Sequence, residues 1–150
     1  MNSLKFGSLF ILLIFFLISS CESGNFSKTP INQFEGTWEL KGRDIFNKIQ
    51  VKISIDENDK VFGEVVKLND NKYVQLFLSK GDPWVTSITR SSNYEFKLSE
   101  KKIAAPLFAQ YENSTTKTWN VVFKNKNCFG ISEGKSPDKS SIEYCRVDKR

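Results

Sequence analysis

The chain has 150 residues, of which 39% are hydrophobic, so it is too apolar for a disordered tail and is the size of one folded domain. Its 22 basic and 17 acidic side chains give a net charge of +5 without a block of like charge, which argues against a nucleic-acid-binding surface. Histidine is absent, which excludes Ser-His-Asp and Cys-His catalysis and histidine-bearing zinc sites. We therefore expect no enzyme, no metal site and no other cofactor.

The N-terminal segment has the order of a secretory signal, with Lys5, an apolar run from Leu9 to Ile18 and two serines before Cys21. A helix needs about 20 apolar residues to cross a bilayer, so this run is too short for a permanent transmembrane anchor. The residues Ile18-Ser-Ser-Cys21 resemble the lipobox of bacterial lipoproteins, where a lipid is attached to the cysteine and the leader is removed. The resemblance implies a signal peptide over residues 1–20, a lipid on Cys21 and a location in the bacterial cell envelope, expected at the outer membrane. The alternative is an ordinary signal peptide with an incidental cysteine.

The segment after Cys21 is polar and contains Gly24 and Pro30 as breakers of regular structure. Residues 21–33 are therefore predicted to form a flexible tether. The remaining residues, 34–150, are predicted to form a single domain.

Alternation of apolar and polar residues predicts short β-strands through this domain. In the clearest case, residues 48–55, the side chains of Ile49, Val51 and Ile53 face one way and polar side chains face the other. Nine strands are predicted, in residues 34–40, 48–55, 61–68, 73–78, 84–89, 94–98, 116–123, 127–132 and 141–147. Their spacing is typical of an all-β fold, either a small antiparallel barrel or, as the alternative, a two-sheet sandwich.

Residues 101–111 do not fit this alternation. Ile103, Leu107 and Tyr111 have helical spacing, but Pro106 would interrupt a helix in the middle. We expect an irregular segment with a short helical turn that closes one end of the fold.

Cys128 and Cys145 remain as an even pair once Cys21 is assigned to lipid. In an oxidising compartment such a pair is expected to form a disulfide. Strand alternation places both sulfurs on the outer side of the last two strands, and closing the loop would contribute about 3 kcal/mol. Two unpaired thiols are the alternative.

The first strand contains Gly36-Thr-Trp38, which resembles the Gly-x-Trp motif that opens the lipocalins and the lipocalin-like domains of bacterial lipoproteins. In that family a basic residue of the last strand packs across the tryptophan ring and closes the floor of the barrel. The resemblance carries over to Gly36 and Trp38, with Arg146 as the partner because it shares the inward parity of Ile142 and Tyr144. It implies a barrel of calycin type, whereas a sandwich strand with a core tryptophan is the alternative.

Aromatic side chains are numerous, and they either line a cavity for a small apolar ligand or fill the core of the domain. The candidates for the cavity are Tyr73, Phe77, Trp84, Phe96, Phe108, Tyr111 and Trp119. Contacts with a ligand or partner are predicted for Tyr73, Phe77, Trp84 and Trp119. Among these we expect Trp84 to be the most exposed, because it follows a cluster of turn-forming residues at 80–83.

Two functions are compatible with these features. The leading hypothesis is a membrane-anchored, non-catalytic lipoprotein that binds a small apolar or amphipathic ligand. The alternative is a protein-binding adaptor of the envelope, or an enzyme inhibitor, that acts through exposed loops around residues 81–84.

Overall fold

The computed structural model describes residues 28–147, so the leader, Cys21 and most of the tether lie outside the described residues. Eight strands form one closed antiparallel barrel, in which each strand pairs with the next and the last pairs with the first. The strands are β1 Gly36–Lys41, β2 Gln50–Ile55, β3 Val61–Lys67, β4 Pro83–Arg90, β5 Glu95–Lys101, β6 Thr116–Asn125, β7 Cys128–Ser132 and β8 Glu143–Arg146. The prediction of a small antiparallel barrel is confirmed, and the sandwich alternative is wrong.

Two short helices interrupt the series of strands. Helix α1, Lys72–Phe77, connects β3 to β4, and helix α2, Ala105–Gln110, connects β5 to β6. Single turns of 3-10 helix lie at Ile31–Phe34, Asp44–Phe46 and Pro137–Lys139. Between residues 28 and 147, no helix is both long enough and apolar enough to cross a membrane.

Eight strands form instead of the nine predicted, because the predicted strand at residues 73–78 is wrong and this segment forms α1. The side chain of Asn71 accepts hydrogen bonds from the backbone N–H groups of Tyr73 and Val74, at 3.0 and 3.3 Å, and so caps the helix. Val74 and Leu78 are buried at the spacing of one helical turn, whereas Tyr73 and Leu76 are exposed. The sequence predicts a strand here because apolar side chains are frequent in residues 73–78, a pattern that a short helix also produces.

Residues 101–111 contain the helical turn that we expect at one end of the fold, but it is longer than expected and forms the six-residue helix α2. Pro106 lies in the first turn of the helix. A proline is tolerated there because the first backbone N–H groups of a helix have no partner within the helix.

Neighbouring strands run in opposite directions, so successive connections lie at alternate ends of the barrel, and the two ends differ in structure. We call one end the floor, which holds the turns at residues 56–60, 91–94 and 126–127. The other end, the helical end, holds α1, α2 and the β1–β2 connection at residues 42–49. The N-terminal segment reaches the barrel at the floor, where Thr29 donates a backbone hydrogen bond to Asn93 at 3.0 Å and accepts one from Arg90 at 2.5 Å.

Gly36, Trp38 and Arg146, the residues expected at the floor, lie together there. The Arg146 guanidinium carbon lies 4.3 Å from the centre of the Trp38 ring, and its two terminal nitrogens donate to the carbonyls of Glu35 and Gln33 at 2.8 and 2.9 Å. A side chain at Gly36 would collide with this guanidinium, and its backbone φ of 135° also favours glycine. The motif glycine therefore leaves room for the arginine that covers the tryptophan.

The predicted disulfide between Cys128 and Cys145 is confirmed. The two residues face each other across β7 and β8, with their Cα atoms 4.2 Å apart. The bond therefore links the last strand, which closes the barrel, to its neighbour.

Reducing this disulfide is expected to lower the free energy of unfolding by about 3 kcal/mol, since the two cysteines have a sequence separation of 17 and the unfolded chain gains loop entropy. Urea unfolding with and without reductant measures the change. The double variant Cys128→Ala/Cys145→Ala serves as the control, because its unfolding should not respond to reductant. Identical unfolding curves for the oxidised and reduced wild type would contradict the prediction.

Candidate functional site

A cluster of polar and aromatic side chains lies inside the barrel near the helical end, and we call it the Glu100 cluster. Its members come from four strands and from the β1–β2 connection. They are Arg43, Trp84, Glu100, Trp119 and Tyr144.

Glu100 is the one charged side chain in residues 28–147 that is fully buried, with 1% of its surface exposed. It points inward because it continues the alternation of Phe96 and Leu98 along β5. Burying a carboxylate is costly unless charged and hydrogen-bonding partners surround it. Here the Trp119 indole N–H donates to Oε2 at 2.8 Å, and the Tyr144 hydroxyl and the Arg43 guanidinium donate to the two carboxylate oxygens.

Tyr144 connects this carboxylate to a second indole. Its hydroxyl accepts a hydrogen bond from Trp84 Nε1 at 2.7 Å and donates to Glu100 Oε1. Burial raises the pKa of the Tyr144 hydroxyl well above its usual value, and the neighbouring Glu100 charge raises it further. The hydroxyl therefore keeps its proton, and within residues 28–147 no buried side-chain nitrogen or oxygen lacks a partner.

Arg43 covers the cluster from the helical end. Its guanidinium carbon lies 4.9 Å from the ring centre of Phe46, 4.9 Å from that of Trp119 and 5.8 Å from that of Trp84. A cation among ring faces is favourable, and its ion pair with Glu100 neutralises the buried charge. The Arg43 side chain is 19% exposed, whereas that of Glu100 is 1% exposed. Arg43 therefore lies between the buried carboxylate and solvent.

A groove of about 470 Å³ lies next to this cluster, between α1 and the segment that leads into α2. Trp84 borders both features, since its ring faces Arg43 and the residue is also part of the groove lining. The lining residues are Leu76, Phe77, Leu78, Asp82, Pro83, Trp84, Lys101, Lys102, Ile103, Ala104, Ala105, Pro106 and Leu107. Most of these side chains are apolar, and the three charged ones are Asp82, Lys101 and Lys102.

Large apolar side chains are exposed on both helices near this groove and at the residue that follows α2. Leu76 is 72% exposed and Tyr111 is 76% exposed, and the others are Tyr73, Phe77, Leu107 and Phe108. Exposed apolar side chains that are concentrated at one end of a small domain commonly mark a binding surface.

The structure separates the four predicted contact residues. Phe77 and Trp84 both line the groove, whereas Trp119 belongs to the Glu100 cluster and Tyr73 is exposed elsewhere on α1. The expectation that Trp84 is exposed is wrong, because only 1% of its surface is accessible. The pairing register shifts between Val85 and Ser87 of β4, and Trp84 and Val85 are both buried beside this irregularity.

Arg43 and Glu100 were not among the residues predicted from sequence. A signal for Glu100 is present, because it is a charged residue at the inward position that follows Phe96 and Leu98. Arg43 lies in a connection without alternation, so no local pattern indicates that it reaches the barrel interior.

Two other features are less suited to binding. Cys128, Cys145 and Glu143 place potential metal ligands within 4.8 Å of one another, but the two sulfurs are bonded to each other and offer no thiolate. A depression of about 590 Å³ on the outer wall is bordered by Lys97 and Asn120, which already hydrogen-bond to each other.

Scans of the chain against protein-family models, curated proteins and solved structures found no match. The features that bear on function are therefore the fold, the Glu100 cluster and the groove.

Tyr144 predicts a pH dependence of stability. Because its pKa is higher in the folded chain than in the unfolded chain, the folded state holds a proton that the unfolded state releases above pH of about 10. The free energy of unfolding should then fall by up to about 1.4 kcal/mol per pH unit above that pH, and the contribution should be complete below it.

Urea unfolding between pH 8 and pH 11 measures this slope, and Tyr144→Phe should remove the part that belongs to the buried hydroxyl. Tyr94→Phe is the matched control, because Tyr94 is exposed in a turn at the floor. Parallel curves for wild type and Tyr144→Phe would show that the hydroxyl does not carry the effect.

Proposed function

We propose that this chain is a membrane-anchored, non-catalytic lipoprotein whose lipocalin-like barrel binds a small apolar or amphipathic ligand in the groove between α1 and α2. The groove carries the proposal. Its volume of about 470 Å³ falls within the range of about 300 to 1,000 Å³ that is usual for small-molecule sites.

The walls of the groove suit an apolar chain. Leu76 and Phe77 line it on the α1 side, Ile103 and Leu107 line it on the α2 side, and Trp84 is a further lining residue. Each methylene group buried there would contribute about 0.8 kcal/mol to binding. Asp82, Lys101 and Lys102 supply charges for the polar end of an amphipathic ligand.

The barrel interior is less suited to the ligand because aromatic side chains fill it. From the floor upward, the Phe34 ring lies 5.2 Å from the Phe129 ring, which in turn lies 4.8 Å from Trp38 and 5.1 Å from Tyr144. These are the separations of rings in contact. We therefore assign the ligand to the groove at the helical end rather than to the centre of the barrel.

A fluorescent amphipathic probe tests the proposal. Dansyl-undecanoic acid, titrated into the full chain, should gain emission by energy transfer from tryptophan and should be displaced by decanoic acid. Leu107→Asp should weaken its binding at least about tenfold, because a charge replaces an apolar wall. Leu107 is half exposed, so this change should not unfold the barrel.

Tyr94→Asp is the matched control, because it places the same charge at an exposed aromatic position at the floor. Absence of probe binding, or equal binding by Leu107→Asp and wild type, would reject the groove as the site.

The anchor is proposed from the lipobox resemblance at Cys21, with the bacterial outer membrane as the expected location. Cells fed a palmitate analogue should label the wild-type chain and should not label Cys21→Ser, because lipid is attached through this sulfur. Cys128→Ala/Cys145→Ala should remain labelled. An unlabelled wild-type chain would contradict the lipid anchor.

The exposed apolar side chains of α1 and α2 favour a second candidate function, binding to another envelope protein or inhibition of an enzyme. Tyr73 and Tyr111 are among the most exposed of these side chains, and neither lines the groove. This surface would replace the loop around Trp84 that the sequence suggests, since Trp84 is buried. One partner recovered in a fixed ratio, together with no probe binding, would favour this candidate.

A further inference from the structure

The side chains around Arg43 have the chemistry of a binding site for a positively charged organic molecule. We propose that Glu100, Phe46, Trp84 and Trp119 form a site for small organic cations of the alkylammonium or guanidinium class, and that Arg43 is an internal occupant that such a ligand displaces. We call these four side chains the cation cage.

The cage combines the two groups that recognise organic cations. Glu100 supplies a buried negative charge, and three aromatic rings stand within 4.9 to 5.8 Å of the cationic carbon of Arg43. Ring faces attract cations and also replace the water around alkyl groups, so the site should prefer alkylated cations to metal ions.

The cage is held in position by contacts that do not involve Arg43. Trp119 donates a hydrogen bond to Glu100 at 2.8 Å, Tyr144 donates a second, and Trp84 donates to the Tyr144 hydroxyl at 2.7 Å. The carboxylate therefore keeps two donors and its position if the guanidinium leaves. A site that is already ordered in this way loses little conformational entropy when a ligand binds.

Arg43 is the movable part of the arrangement. It lies on the β1–β2 connection rather than on a strand, and its side chain is 19% exposed while that of Glu100 is 1% exposed. Asn69 donates hydrogen bonds to the carbonyls of Ile45 and Asn47 at 2.6 and 2.8 Å and so fixes the backbone of the connection. Displacement therefore needs only a rotation of the Arg43 side chain into solvent. The incoming cation then takes over the buried positive charge.

This site is separate from the proposed apolar-ligand groove, although Trp84 borders both. The groove holds an apolar chain against Leu107 and Phe77, whereas the cage holds a cation against Glu100. The two proposals can therefore fail independently.

The indole N–H signals of the three tryptophans report on the cage in an NMR titration of the full chain with n-butylammonium or n-butylguanidinium chloride. The signals of Trp84 and Trp119 should shift and saturate. The signal of Trp38 should stay in place, because its N–H donates to the Phe34 carbonyl at the floor. Sodium chloride at equal ionic strength and n-butanol, a neutral molecule of similar shape, should not produce these shifts.

Variants separate the two roles of the cage. Arg43→Ala should bind n-butylguanidinium at least about tenfold more tightly than wild type, since no occupant has to be displaced. Glu100→Gln should bind it at least about tenfold more weakly. Glu57→Gln, which removes an exposed carboxylate in the turn at the floor, and Leu107→Asp in the groove should both bind as wild type does.

Three results would overturn the proposal. These are the absence of saturable shifts in wild type, equal shifts with n-butanol, and binding that occurs only in Arg43→Ala, which would make Arg43 a structural plug. If Arg43→Ala does not fold, the wild-type titration with its Trp38 and n-butanol controls decides.

Discussion

The pairing of β8 with β1 is the constraint on which the rest of the structure depends, because it closes the sheet into a barrel of eight strands. An eight-stranded barrel has an interior that side chains can just fill. Here aromatic rings fill the half near the floor, and the Glu100 cluster fills the half near the helical end. Closure therefore leaves the connections at the helical end to form the groove, so the binding properties of the domain depend on its connections.

The buried carboxylate places a second constraint on the interior. Replacing a buried ion pair by apolar side chains is often neutral or stabilising, so the Arg43–Glu100 pair is weak evidence for a role in stability. Removing only one partner would leave the other charge unpaired and would be strongly destabilising. The hydrogen bonds of the cluster also hold Trp84, Trp119 and Tyr144 in fixed positions relative to each other. A binding site requires such an ordered arrangement.

Local pattern in the sequence accounts for most of the barrel, because inward and outward residues alternate in nearly every strand. It fails where local geometry departs from that alternation. Asn71 caps a helix over residues that read as a strand, and the consecutive residues Trp84 and Val85 are both buried next to register shifts in β4. The Glu100 cluster is harder to predict, because Arg43 and Glu100 are 57 residues apart and meet only after the barrel has closed.

The hydrogen bonds of Thr29 at the floor determine which end of the barrel an N-terminal lipid anchor would join. If Cys21 carries the lipid, Lys28 follows it by seven positions, and such a segment spans at most about 25 Å. A six-residue strand such as β1 is itself about 20 Å long. The anchor would then join the barrel at the floor, the end opposite the groove, and the segment would be long enough to let the barrel turn freely above the lipid headgroups. The groove would therefore be accessible both from solvent and from the bilayer surface, and the tether would not restrict it to either.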